Sequence, residues 1–115
     1  MTAGPYSPVL QIACGRLIVI SGQGAIAPDG SVIGNTIEEQ ADYTLRNCLK
    51  QMSAAGASFA DVFKVNVYLT DLKDWPAFNV VYAQWMPAPL PTRTAVQAGL
   101  LLTMKVEIEM WAMLP

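Results

Sequence analysis

The chain has 115 residues, of which 53% are apolar and only 14% charged, and its net charge is −2. That length suits one domain, 1–115, with a single two-layer core, and so little charge cannot readily cover the surface of a small monomer, so part of that surface is expected to be buried against other subunits. No run of Lys or Arg offers a footprint for phosphate backbones and no apolar run approaches a membrane span, so neither nucleic acid nor a membrane is an expected partner. Histidine is absent, which excludes Ser-His-Asp and Cys-His catalysis. Cys14 and Cys48 lie far apart in apolar contexts with no zinc spacing, and both are expected to be buried small hydrophobes; no metal, cofactor or disulfide is expected. Residues 1–5 lack the basic and apolar regions of a signal peptide, and the expected location is the cytoplasm.

In chain order, Gly4-Pro5-Tyr6-Ser7-Pro8 is a stiffened lead-in whose Tyr6 either packs the terminus down or offers a hydroxyl to a site. Residues 9–14 and 17–21 are rich in β-formers and are separated by Gly15-Arg16, which predicts a tight hairpin. Gly22-Gln23-Gly24-Ala25-Ile26-Ala27 superficially fits a dinucleotide fingerprint. A turn, Pro28-Asp29-Gly30, follows instead of the helix that fingerprint requires. The glycines therefore point to close approach of a backbone or ligand.

A short strand is expected at 31–33. Thr36-Ile37-Glu38-Glu39 then reads as a capping box, and Ala41, Leu45, Cys48, Leu49 and Met52 follow at helical spacing. Gly56 suits a left-handed stop. Residues 64–70 alternate, with Val65, Val67 and Leu69 on one face and Lys64, Asn66 and Tyr68 on the other. Asp74 is placed to cap a second helix with Pro76 in its first turn. That helix carries Phe78, Val81, Tyr82 and Trp85 and stops before Pro87. The last strand, 105–114, sets Val106, Ile108, Met110 and Ala112 opposite Lys105, Glu107 and Glu109. The pattern predicts an α+β sandwich with both helices on one face of the sheet.

Between the second helix and the last strand stands Pro89-Leu90-Pro91-Thr92-Arg93-Thr94-Ala95-Val96. Its prolines hold the strand entry extended. Arg93 is one of three arginines, and a guanidinium fork matches a carboxylate. Arg93 is thus either an anchor for a small organic acid or a solvated strand-end arginine. Glu107, on the following strand and within possible reach of Arg93, is either a general base or one end of an ion pair with Lys105, Lys64 or Arg93.

Gly4-Pro5-Tyr6-Ser7, Ser21-Gly22-Gln23, Glu39-Gln40, Gly56-Ala57-Ser58, Val67-Tyr68-Leu69-Thr70-Asp71, Phe78-Asn79, Val81-Tyr82, Pro91-Thr92-Arg93-Thr94 and Val106-Glu107-Ile108-Glu109 stand in an order that resembles the Rid family. These are the YjgF-like reactive intermediate deaminases, also labelled L-PSP endoribonucleases. The resemblance implies a chorismate-mutase-like fold with a mostly antiparallel six-stranded sheet, and a homotrimer with clefts between subunits. It implies hydrolysis of enamine/imine intermediates such as 2-aminoacrylate to a 2-keto acid and ammonia. It also implies that Arg93 binds the substrate carboxylate, that Glu107 positions or activates water, and that Tyr6, Ser21 and Gly22 line the cleft.

Two departures bear on pocket shape. Ala95 stands where the family commonly has cysteine, and Leu100-Leu101-Leu102 replaces the usual Leu-Pro in a loop that looks a residue short. A non-catalytic carboxylate-binding trimer and an endoribonuclease are the alternatives to the deaminase.

Overall fold

The computed structural model describes residues 4–115; residues 1–3, which the reading of the N-terminus included, lie outside it. The elements are β1 (Arg16–Gln23), α1 (Ile37–Ala54), β2 (Val62–Leu69), α2 (Trp75–Trp85), β3 (Thr92–Gln97) and β4 (Val106–Leu114), with 3-10 turns at Phe59–Asp61 and Leu72–Asp74. One sheet of four strands runs in the order β1-β4-β2-β3. β4 is antiparallel to both β1 and β2, whereas β2 and β3 are parallel and are connected through α2.

The sheet has four strands, not the six expected. Residues 9–14 form no strand, for a reason that lies in the residues just before them. The Ser7 N–H donates to the Pro91 carbonyl at 2.9 Å and the Ser7 hydroxyl donates to the Leu90 carbonyl. These bonds fasten the lead-in at the entry to β3, at the opposite edge of the sheet from β1. The chain must then cross the end of the sheet to reach β1, so it cannot turn back as a hairpin alongside it. Residues 10–14 share a cavity with Ala60, Phe63, Met113 and Leu114 on that crossing. The expected strand at 31–33 is reduced to a single antiparallel bridge, Ile26 to Val32.

Both helices form where the spacing places them. Thr36 accepts from the Glu39 N–H, and the Glu39 carboxylate accepts from the Thr36 N–H, which closes the capping box at the start of α1. At its end Gly56 takes φ +83°. The Gly56 and Ala57 N–H groups donate to the Ser53 and Met52 carbonyls, the paired bonds of a left-handed helix stop. α2 departs from expectation in one detail. Asp74 occupies the position before the helix but makes no side-chain cap; Asp71 instead accepts from the Lys73 N–H in the preceding 3-10 turn.

Val65, Val67, Leu69, Val106, Ile108, Met110 and Ala112 are buried together with Ala41, Leu45, Cys48, Met52, Phe78, Val81 and Tyr82. Alternation therefore puts one sheet face under both helices. Burial pushes the Cys48 thiol up to about 12, leaving an inert core thiol. Cys14, expected to be buried as well, is exposed, because the segment that carries it stays outside the sheet. Gln40 links α1 to the loop before β4: its side chain donates to the Gly34 and Thr103 carbonyls and accepts from the Lys105 N–H at 2.7 Å. In that same loop Leu102 takes φ +53°, a conformation costly to a residue with a side chain.

Thr36→Ala removes one side of the capping box and is expected to cost about 1 kcal/mol, a fall in melting temperature of roughly 3–6 °C. Thr36→Ser should retain most of the wild-type value. An unchanged melting temperature in Thr36→Ala would show that packing alone sets where α1 begins.

Candidate functional site

Arg93 pairs with Val65 across the parallel β2–β3 ladder, so its side chain leaves the sheet on the helix-covered face. It is only 8% exposed. Its guanidinium carbon lies 4.8 Å from the centroid of the Tyr82 ring, 5.3 Å from Tyr6, 5.7 Å from Phe78 and 5.9 Å from Trp75. Contacts of this kind contribute about 0.5–2 kcal/mol each. None of them takes a hydrogen bond from the guanidinium edge, and Nε, Nη1 and Nη2 all lack an acceptor among the described residues. Burial pulls the Arg93 pKa below its ordinary value, with Tyr82 and Tyr6 opposing. An arginine nevertheless stays charged in proteins, so a cation sits here without a counter-ion. The strand-end arginine of the sequence is therefore not a solvated one.

Two more buried polar atoms without partners, the Asn79 Oδ1 and the Tyr82 hydroxyl, belong to α2. Asn79 lies four residues after Trp75 and three before Tyr82, on the helix face whose rings surround Arg93. The sequence places Phe78, Val81, Tyr82 and Trp85 on this helix and gives none of them a site role. That Trp75, Asn79 and Tyr82 stand opposite a strand arginine is a tertiary fact.

Glu107 lies elsewhere. It pairs with Tyr68 across the β2–β4 ladder, on the face away from the helices. Two residues of β1, Ser21 and Gly22, oppose the single Glu109 of β4 in a β-bulge between Ile20 and Gln23. A Cβ at Gly22 would lie 2.5 Å from the Glu107 Oε2, so only glycine lets the strand pass the carboxylate this closely. Gly22 and Glu107 are thus close neighbours, with Ser21 beside Gly22 in the bulge.

Next to them, Glu109 Oε1 accepts from the Tyr68 hydroxyl at 2.5 Å and from the Asn66 side-chain amide at 3.1 Å. These bonds hold the Glu109 carboxyl below its ordinary range. Lys64 Nζ lies 4.3 Å from the centroid of the Trp111 ring. Among the described residues the one ion pair is Arg46 with Asp42, so Glu107 is not the ion-pair partner of Lys105, Lys64 or Arg93.

Within one chain Arg93 and Glu107 do not approach each other, contrary to expectation. β2 separates their strands, an offset of about 9.6 Å at ordinary strand spacing. The two side chains also leave the sheet on opposite faces. Each half is open. Arg93, Tyr6, Ser7, Lys64, Asn66 and Thr94 line a cavity of about 200 Å³. Leu72, Trp75 and Ala95 line a second of about 360 Å³. A larger cavity, about 620 Å³, lies below residues 10–14 and contains none of the expected site residues. The segment 22–27 is no nucleotide loop: Asn47 donates to the Gly24 and Ile26 carbonyls and holds it against α1.

The Tyr68–Glu109 bond predicts a definite pH dependence. Glu109 is depressed in the folded state, so its contribution is fully present above the ordinary carboxyl value of 4.5 and is lost as pH falls through the folded value. Tyr68→Phe should therefore lower stability most at neutral pH, and the difference from wild type should shrink below about pH 4. Chemical denaturation at several pH values measures it; a constant difference across that range would rule the bond out as the source.

The profile described as Endoribonuclease L-PSP matches residues 1–114. The chain is 42% identical over 96 residues to the mitochondrial protein mmf2 of Schizosaccharomyces pombe, covering 84% of this chain and 74% of that protein. It is 35% identical over 108 residues to the chloroplastic Reactive Intermediate Deaminase A of Arabidopsis thaliana, covering 92% of this chain and 57% of that longer protein. Among solved structures, it superposes on Escherichia coli TdcF with bound serine at a TM-score of 0.81 and 34% identity, covering 97% and 92% of the two chains. Two helices on a four-stranded mixed sheet, with a profile match over almost every residue, place the chain in the YjgF/Rid family, to which the reactive intermediate deaminases belong.

Proposed function

We propose that the protein hydrolyses enamine and imine intermediates of the 2-aminoacrylate type to 2-keto acids and ammonia, in a cleft between the subunits of a homotrimer. The observation that carries this reading is the Arg93 guanidinium, buried with no hydrogen-bond acceptor for its three nitrogens among the described residues. A charge held in that way wants an anion, and a carboxylate matches its planar fork. The serine named with the TdcF structure carries such a carboxylate, which agrees with the reading.

The chemistry asks little of the protein. An enamine takes a proton at C3 to become an imine, water adds its oxygen to C2, and C–N cleavage releases ammonia and leaves the keto group. The electrophile reacts with water unaided, so no strong nucleophile is required. Arg93 holds the carboxylate, Glu107 orients the water and carries its proton to nitrogen, and Tyr6, Ser21 and Gly22 line the cleft. Acid–base assistance of this kind is typically worth on the order of 10²–10⁴-fold.

Arg93 and Glu107 serve one substrate only if a second copy brings its Ser21–Gly22–Glu107 face to the Arg93 edge of the first. Such a heterologous contact repeats from copy to copy and closes into a ring. The sheet face that carries Glu107 also exposes Leu17 and Val19, 55% and 58% accessible, paired with Met113 and Trp111. An apolar surface of that kind suits an obligate interface. Carboxylate binding without turnover is the second reading, favoured by the separation of Glu107 from Arg93 in one chain. An endoribonuclease accords less well with a net charge of −2.

Arg93→Ala is expected to keep the fold and the assembly, because it breaks no hydrogen bond or ion pair among the described residues and forfeits only the ring contacts. It should lower both carboxylate affinity and imine turnover more than about tenfold, since one charge-assisted bond contributes roughly 1.5–3 kcal/mol. Arg93→Lys should rescue poorly, as an ammonium lacks the fork. Light scattering, melting and single-turnover hydrolysis on one preparation test this. A monomeric wild-type mass at micromolar concentration would remove the cleft, and full activity in Arg93→Ala would end the assignment.

Glu107→Gln should preserve the assembly and lower kcat more than 2-keto acid affinity, the signature of an interaction made mainly in the transition state. Hydrolysis at the parent rate would make Glu107 structural. Tight ligand binding with no turnover in the wild type would favour the binding-only reading.

A further inference from the structure

We propose that Leu72, Trp75 and Ala95 form a side-chain subsite that selects 2-imino acids carrying branched or aromatic apolar side chains over the small imine of alanine. The inference rests on the deaminase reading and names the substrate class of the same site.

Ala95 follows Arg93 by two residues on β3, so the two share a face and stand about 6.6 Å apart along the strand. Ala95 pairs with Val67, as Arg93 does with Val65. Beside it, Leu72 and Trp75 complete a cavity of about 360 Å³, inside the range of about 300–1,000 Å³ usual for small-ligand sites. Trp75 belongs to both places. Its indole lines this cavity, and its ring centroid lies 5.9 Å from the Arg93 guanidinium carbon. The anchor and the cavity are therefore neighbours across one side chain.

The reach of a substrate decides who fills the cavity. In a forked pair the carboxyl carbon sits about 4 Å from the guanidinium carbon. With bonds of about 1.5 Å, the methyl of an alanine-derived imine ends about 2.5 Å beyond that carbon. The terminal carbons of a leucine-derived imine reach about 5 Å and the far ring carbon of a phenylalanine-derived one about 6.5 Å, so the larger two extend furthest toward the neighbouring cavity. None of the three lining side chains is charged, and only the indole N–H can hydrogen-bond. Apolar side chains are favoured there, and a hydroxyl or carboxylate taken in loses its water with little in return. Leu72 is 47% exposed and holds the outer rim, so the subsite opens at the surface and can admit a bulky group.

The test is single-turnover hydrolysis of imines generated in place by an amino acid oxidase from alanine, leucine and phenylalanine. Calorimetric titration of pyruvate, 4-methyl-2-oxopentanoate and phenylpyruvate runs beside it. The larger imines should show kcat/KM at least about tenfold above the alanine imine, the discrimination that a few buried carbons support. Their keto acids should bind tighter in the same order. Ala95→Leu fills the cavity and should cut the large-to-small ratio more than about tenfold, whereas Leu72→Ala, at an exposed position outside the core, should cut it about threefold.

Equal use of all three imines, or a ratio unmoved by Ala95→Leu in an assembly of wild-type mass, overturns the subsite and leaves the deaminase reading standing. If no keto acid binds and no imine is hydrolysed, the deaminase reading fails and the subsite with it.

Discussion

A guanidinium buried without a counter-ion among the described residues is the constraint on which the rest of this structure turns. Arg93 is held where water is largely excluded and where four aromatic rings offer their faces to it. Ring faces compensate part of the lost hydration but leave the in-plane donors unused. Such a group stores an affinity for a planar anion. It remains in place because β3 is fixed on both sides: Ser7 binds the carbonyls of its entry, and the Thr92 hydroxyl donates to the Phe63 carbonyl at 3.0 Å. Pro-x-Pro, the lead-in and α2 thus act together as a mount for one side chain.

The second half of the site follows from sheet geometry. A strand shows its successive residues to opposite faces, so a chain that buries Val106, Ile108 and Met110 must present Glu107 and Glu109 on the other side. The bulge at Ser21–Gly22 then adapts β1 to the Glu107 carboxylate, and glycine is the residue that leaves it room. Glu109, bound by Tyr68 and Asn66, is committed to its neighbours, while Glu107 is left to face outward. Of two glutamates in one short triplet, the structure distinguishes a structural one from an available one.

Arg93 stands on one face of the sheet and Glu107 on the other, so the proposed cleft needs a neighbouring copy. That proposal links two features that look unrelated in the composition: a shortage of charge, and an outer sheet face carrying Leu17, Val19, Trp111 and Met113. The apolar part of the face suits association.

Much of this was legible in the sequence, because the signals were local. The capping box at Thr36, the left-handed stop at Gly56 and the alternation in β2 and β4 each depend on neighbours within a few residues, and each formed as read. The family was also recognisable, through the order of short motifs that includes Arg93, Glu107, Ser21 and Gly22. What the sequence could not determine was where distant segments meet. Residues 9–14 have strand composition but no strand partner, because Ser7 binds at the far edge of the sheet. Trp75, Asn79 and Tyr82 carry no sign of a shared role until β3 lies opposite them. Arg93 and Glu107, on strands adjacent in the chain, are parted because β2 lies between β3 and β4. Strand order and face are settled by long-range pairing and burial, and those contacts leave no mark at the short spacings in which a sequence is read.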